Sequence, residues 1–272
     1  MPDSKTFLIT GASSGIGAQF ARAYAARGHN LVLAARRINR LEDLANELMD
    51  RHAVKISCLA ADLSKRHDTE HLLAQMHGLG IRPDGLINNA GYSLAHTFSA
   101  TTAHAQLDFV EVCVTAPTLL SHALLPHMIR QGFGRIINVS SMVAFSPGAS
   151  GHTLYPAAKA YMLKFSRSLN AEVAEKGVHV TALCPGATES EFMTANGMAQ
   201  ALPSSDTGHG PGRFSMPADK VVEQAIRGNE AGREVVITGF VNQAAVAAMT
   251  LLPDFIVTPL IRWGAKKYQL KD

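Results

Sequence analysis

This 272-residue chain predicts an α/β fold, a single doubly wound parallel sheet of about seven strands flanked by helices. Three observations carry that expectation. A β-branched and aromatic run, Thr6-Phe7-Leu8-Ile9, passes through Thr10-Gly11-Ala12-Ser13-Ser14-Gly15-Ile16-Gly17 into an Ala-rich helical pattern from Ala18 to Arg27. Strand and helix patterns then alternate along the chain, as crossover connections between parallel strands require. The strands themselves are near-continuous apolar runs, which suits strands covered on both faces.

Taken in order, strands are legible at 6–10, 30–35, 55–60, 85–88, 135–140, 178–184 and 234–238. Between the second and third, residues 40–51 carry Leu41, Leu44, Ala45 and Leu48 on one helical face. Longer helical patterns cover 101–130 and 153–174. Thr153 is the expected N-cap of the latter, which places Pro156 in the first turn, where a missing N–H is tolerated. Residues 189–216 interrupt the rhythm with Gly197, Pro203, Gly208, Gly210, Pro211 and Gly212. A connection of that length directly after a strand end is a candidate substrate lid. The whole of 1–272 reads as one domain ending in an apolar helical tail, 240–268.

Composition narrows the function classes. The chain is 47% hydrophobic and 17% charged, enough for a substantial core, and its net charge of +3 is spread without a dense basic block. Nucleic-acid binding is therefore not expected. His67 and His71 stand at i, i+4 but have no third ligand nearby, so they read as a solvated helix face and no metal site is expected. Cys58, Cys113 and Cys184 form no C-x-x-C pair and read as reduced thiols of a cytoplasmic protein. No stretch reads as long and apolar enough to span a membrane. The nearest, 241–263, is broken by Asn242, Gln243, Pro253, Asp254 and Pro259, with Lys266 and Lys267 beyond. Packing of this tail on the domain or on a second subunit is favoured over an interfacial membrane helix.

A strand, a glycine turn and a helix N-terminus together form a pyrophosphate site. The glycines allow close backbone approach, and the first helical N–H groups and helix dipole favour an anion. In a doubly wound sheet the ligand lies at the carboxyl ends of the strands. Gly11, 88–91, Ser140-Ser141 and Pro185-Gly186 all sit at such ends. Tyr155 and Lys159, at i, i+4, share one helix face. A phenol with a pKa near ~10 exchanges its proton sluggishly at neutral pH, and a neighbouring ammonium lowers that value. A tyrosine tuned in this way can protonate a carbonyl oxygen or deprotonate an alcohol.

The full set resembles the short-chain dehydrogenase/reductase family, whose fold is Rossmann-like, across roughly residues 6–240. The motifs are Thr10-Gly11-x3-Gly15-x-Gly17, Asn88-Asn89-Ala90-Gly91, Asn138-Val139-Ser140-Ser141, Tyr155-x3-Lys159 and Pro185-Gly186. The resemblance implies that Ser141 positions the substrate oxygen and that Tyr155 is the general acid/base. It implies that Lys159 lowers the Tyr155 pKa and binds the nicotinamide ribose. Gly11, Ser13, Ser14, Gly15, Ile16 and Gly17 would hold the pyrophosphate. Asp62, followed by Leu63, would meet the adenine, and Asn89, Ala90 and Gly91 would lie against the cofactor while Asn88 holds the central strands. Pro185, Gly186 and Thr188 would contact the nicotinamide end. Two departures stand out. Cys113 occupies the place where many family members carry an asparagine, and Ser141 lies fourteen residues before Tyr155, one more than the family spacing.

The second strand ends Ala34-Ala35-Arg36-Arg37, with Ala35 where an NAD site commonly has an acid. An arginine fork suits a 2′-phosphate, so NADP(H) is favoured over NAD(H), with Arg36 the main contact and Arg37 added charge. Phe192, Met193, Met198, Leu202, Phe214 and Met216, facing Tyr92, Phe145 and Leu154, favour a hydrophobic ketone or secondary alcohol. The alternative is a catalytically weak NADP(H)-binding relative with a regulatory or scaffold role. The resemblance also implies a homodimer or homotetramer paired through 101–130 and 153–174.

Overall fold

The computed structural model describes residues 4–94, 96–148, 153–189 and 215–265. The body of the candidate lid, 190–214, lies outside the described residues, as do its residues Phe192, Met193, Met198, Leu202 and Phe214.

Seven strands form one parallel sheet: β1 Thr6–Thr10, β2 Asn30–Ala35, β3 Ile56–Ala60, β4 Gly85–Asn88, β5 Gly134–Val139, β6 Val178–Cys184 and, at one edge, Val235–Ile237. A separate two-stranded parallel ladder joins β7, Thr188–Glu189, to β8, Met216–Pro217, so the Val235–Ile237 strand is β9. The large sheet runs in the order β3-β2-β1-β4-β5-β6-β9. Helices α1 Gly15–Ala26, α2 Ile38–Arg51, α3 Arg66–Gly78, α4 Ala103–Val110, α5 Ala116–Arg130 and α6 Leu154–Val173 follow the first five strands. The chain ends in α7 Ala218–Glu230, α8 Phe240–Leu251 and α9 Asp254–Ala265.

Both sheet faces are covered, which is why the strands read as unbroken apolar runs. Phe7, Ile9, Leu31 and Leu33 pack against α1, α2 and α7. Their neighbours Leu8, Val32 and Leu86 pack the other way, against α3, α4, α5 and α6. The face expected on the second helix is the one buried: Leu41, Leu44, Ala45 and Leu48.

Several local expectations need correction. β3 begins at Ile56, β5 spans Gly134–Val139 and β9 is shorter than its sequence pattern. Thr153 has helical dihedrals (φ −54, ψ −52) and makes no side-chain cap bond, because an N-cap hydroxyl reaches the first-turn N–H groups only from an extended backbone. Pro156 does sit in the first turn of α6. The run Ala103–Arg130 is one continuous helical stretch, long and apolar enough to cross a membrane by length and composition. It joins α4 to α5 through a π-helical turn, Glu111–Thr115. Phe109, Cys113, Leu120, Leu124 and Met128 are buried on the sheet, so its apolarity serves the core.

Candidate active site

The order β1-β4-β5-β6 makes four neighbouring strands end on one side, and the glycine turn, 88–91, Ser140-Ser141 and Pro185-Gly186 meet there. The turn is tight. Gly11 and Gly15 have φ of +64° and +55°, a region disfavoured for residues with a Cβ. A Cβ on Gly17 would lie 2.3 Å from the Gly11 carbonyl oxygen and 2.5 Å from the Asn89 amide nitrogen, so α1 approaches the turn only as glycine. Asn89 Nδ2 donates to the Thr10 and Gly11 carbonyls (3.0 and 3.1 Å). Thr10 Oγ1 accepts from the Asn89 and Ala90 amides (3.0 and 3.1 Å). The strand-four turn therefore braces the glycine turn, and Asn89 spends its side chain on that bracing.

An open cleft of about 360 Å³ runs from Ser13, Ser14 and Gly15 past Ala18 to Glu189 and Ala218. It lies between the α1 N-terminus and the β7–β8 ladder, whose strands precede and follow residues 190–214. Helix N-terminal donors, a glycine turn without side chains and room beside it fit a dinucleotide pyrophosphate. Arg37 donates to Ser13 Oγ (3.1 Å) and Ser14 Oγ (3.3 Å). Arg36 is exposed, and its charge reaches Tyr92. The arginine drawn to the glycine turn is thus Arg37, the one assigned the lesser part from sequence. Among the other cofactor residues, Asp62 Oδ1 accepts from the Ser64 amide (3.1 Å), Leu63 is buried, and Ile16 packs on the core. Thr188 Oγ1 donates to the Gly186 carbonyl (3.1 Å).

Ser141, Tyr155 and Lys159 come together. Ser141 follows β5, where its hydroxyl accepts from the Val143 amide (3.3 Å) and lies near enough to the Tyr155 phenol to oppose the rise of its pKa. Lys159 is buried, and its Nζ donates to the Val139 carbonyl (2.9 Å). Ser140 Oγ donates to the Lys159 carbonyl (2.7 Å), tying α6 to the end of β5. A Cβ built on Gly91 would lie 3.7 Å from Lys159 Nζ and 3.6 Å from Cys113 Sγ. The amine therefore faces the turn that braces the glycines.

Burial dominates the electrostatics of this arrangement. Tyr155 is pushed up to about 12, because burial outweighs the opposing influence of Ser141, with Cys113 adding to the rise. Lys159 is pushed down by burial, with Cys113 and Cys184 opposing. Its Nζ stands 5.5 Å from the centre of the Tyr155 ring, over the ring rather than at the hydroxyl. Burial therefore sets the pKa of the phenol in this arrangement.

The position expected to hold an amide is a buried thiol, Cys113, raised by desolvation. With Thr10, Asn88, Ala90 and Lys159 it borders a cavity of about 10 Å³, the size of one water. Asn88 performs the bracing expected of it, donating to Asn138 Oδ1 (2.8 Å) and Ser121 Oγ (3.2 Å). Asn138 in turn donates to Ser166 Oγ (2.9 Å), which links β4, β5, α5 and α6. Of the expected substrate wall, Tyr92 packs edge-on against Phe109 (5.4 Å) and, with Leu154, joins the core beneath α4 and α5. Phe145 packs separately, beside Leu163 and Ile237, and Met216 packs on the core.

Four further residues shape the site. Thr10 and Ser140 lay inside quoted motifs and had a detectable signal there. Cys184 carries none for its place near Lys159, nor does Asn242, against whose side chain Gly186 packs so closely that a Cβ would come within 2.5 Å. Among the described residues no His, Cys, Asp and Glu cluster could hold a metal ion, and the three cysteines are free.

Comparison with known proteins identifies the family and its fold. Residues 5–201 match the short chain dehydrogenase family. A sulfoacetaldehyde reductase of Chromohalobacter salexigens is 36% identical over 220 residues, 80% of this chain and 85% of that protein. A short-chain dehydrogenase from Sphingobium yanoikuyae, solved in complex with NADPH, superposes with a TM-score of 0.77 at 34% identity, covering 92% of this chain and 96% of that one. A bulky-bulky ketone specific alcohol dehydrogenase from Comamonas testosteroni gives a TM-score of 0.73 at 33% identity, covering 92% and 95%.

Proposed function

Because this chain belongs to the short-chain dehydrogenase family, and is an oxidoreductase of the kind that binds a nicotinamide cofactor, we propose that it uses NADP(H) to interconvert a hydrophobic ketone and its secondary alcohol. The observation that carries this reading is the meeting of Ser141 and Tyr155 beside buried Lys159, facing the braced glycine turn.

In the reduction direction, the Ser141 and Tyr155 hydroxyls hold the substrate carbonyl oxygen. The nicotinamide, when bound, supplies the hydride. As charge develops on that oxygen, Tyr155 releases its phenolic proton to it, and the Lys159 ammonium stabilises the phenolate that remains. Burial that keeps the phenol protonated at neutral pH holds it ready as an acid. Gly11 through Gly17 bind the pyrophosphate at the α1 N-terminus, and Arg37 with Arg36 meets the 2′-phosphate. Ala35 leaves no carboxylate there to repel it. NADPH in the Sphingobium relative and ketone specificity in the Comamonas relative support the cofactor and substrate class.

The test is NADPH oxidation across a panel of apolar ketones, with Tyr155→Phe beside the wild type. The variant should lose roughly 10²–10⁴-fold in kcat while binding NADPH unchanged. Cofactor binding without turnover on any ketone would instead favour a regulatory or scaffold relative, to which buried Cys113 in the amide position points.

A further inference from the structure

The two C-terminal helices present an apolar surface that the described chain leaves bare. α8 buries Val246, and α9 buries Val257. Outward stand Phe240 (82% exposed), Leu251 (81%) and Phe255 (77%), with Val241, Leu252 and Ile256 beside them. On α8, exposed Phe240, Ala244, Ala247 and Leu251 follow the spacing of one helical face. Leu252, Phe255 and Ile256 carry that surface across the junction at Pro253. No Asp, Glu, Lys or Arg occurs between Glu234 and Asp254. Arg262, Lys266, Lys267 and Lys271 then follow, with Asp272 the acid among them.

We propose that this helix pair lies in the interface of an anionic lipid bilayer. Leu251, Leu252, Phe255 and Ile256 enter the boundary between headgroups and acyl chains, and the sequence that follows supplies cations to match the lipid phosphates. Each helix has 12 residues, well short of the roughly 20 needed to span, so the pair lies along the surface. An uncharged face followed by cations matches an apolar layer edged by anions, each basic residue contributing about fivefold in affinity. A second copy seated on the same face would bring a second run of cations rather than the anions they fit. α8 also starts beside the Gly186 turn and packs on 142–145, next to Ser141. Lipid binding would therefore hold the crevice close to the phase in which an apolar ketone dissolves. That last consequence rests on the proposed activity; the lipid binding does not.

Flotation of the full-length protein with vesicles tests this, comparing phosphatidylcholine alone with phosphatidylcholine plus phosphatidylglycerol. Wild type should float with the anionic vesicles, and salt should weaken it. The double variant Leu251→Asp/Phe255→Asp should lose about tenfold or more in binding while keeping the wild-type circular dichroism spectrum and cooperative thermal unfolding, which show that it is folded. Lys266→Gln/Lys267→Gln should lose about fivefold per charge on anionic vesicles and little on neutral ones. No flotation of wild type, or equal flotation of wild type and Leu251→Asp/Phe255→Asp, would overturn the proposal. So would sedimentation velocity showing that Leu251→Asp/Phe255→Asp splits a wild-type oligomer, since a second copy would then cover the face. The assay contains neither cofactor nor ketone, so failure of the oxidoreductase reading leaves it unaffected.

Discussion

Tyr155 and Lys159 show how burial sets chemistry at single residues. A phenol raised to about 12 stays protonated through neutral pH, so ketone reduction should be nearly flat from pH 6 to 8, whereas alcohol oxidation, which needs the phenolate, should rise with pH. Rate profiles in both directions check this, and a reduction rate that climbs with pH would contradict it. Lys159 is held at a cost. Its folded pKa is lowered, so the unfolded chain binds the proton more tightly and this position's contribution to stability rises with pH. Lys159→Met should therefore raise thermal stability at neutral pH, by about 1 kcal/mol, while abolishing turnover. Calorimetry beside a rate assay would show the trade-off, and a destabilised variant would refute it. At the adenosine end, Arg37→Asp should raise the KM for NADPH by roughly tenfold or more and leave that for NADH little changed, with Arg36→Asp acting in the same direction. Equal shifts for both cofactors would refute the 2′-phosphate assignment.

At the scale of elements, the glycine turn is the most constrained piece. The Gly-x3-Gly-x-Gly spacing was legible because each glycine answers a backbone need that sequence displays. What sequence did not display is that Gly17 is pressed against both the Gly11 carbonyl and the Asn89 amide, from a strand end far along the chain. Gly17→Ala should cost about 1–3 kcal/mol and weaken NADPH binding, measurable by denaturant unfolding and fluorescence titration; an unperturbed variant would mean that α1 can slide away. Helix α2 was readable for a different reason. Its four buried residues repeat at helical spacing, and a face that must be apolar announces itself. Thr153 does not cap α6 because a hydroxyl residue before a helix caps only when its own backbone is extended, a property of the preceding segment.

Across the whole molecule, the strand order puts β1, β4, β5 and β6 side by side and so brings four separated motifs to one crevice. The long helical run Ala103–Arg130 covers the sheet with one side and leaves Leu107 exposed on another. We propose that it pairs with its equivalent, beside α6, in a homodimer or homotetramer. Sedimentation velocity should show that species, unchanged by Leu251→Asp/Phe255→Asp, and a monomer at micromolar concentration would refute it. The sequence by itself determined the α/β class, the strand succession and the motif residues, because buried parallel strands, amphipathic helices and glycine turns are local demands written in local composition. Only the tertiary structure decided that Arg37 rather than Arg36 meets the glycine turn, that Lys159 turns its amine to the Val139 carbonyl, and that the tail keeps its apolar face outward. Those outcomes depend on which side chains meet across the sheet and how much water they lose, and residues distant in the chain settle both.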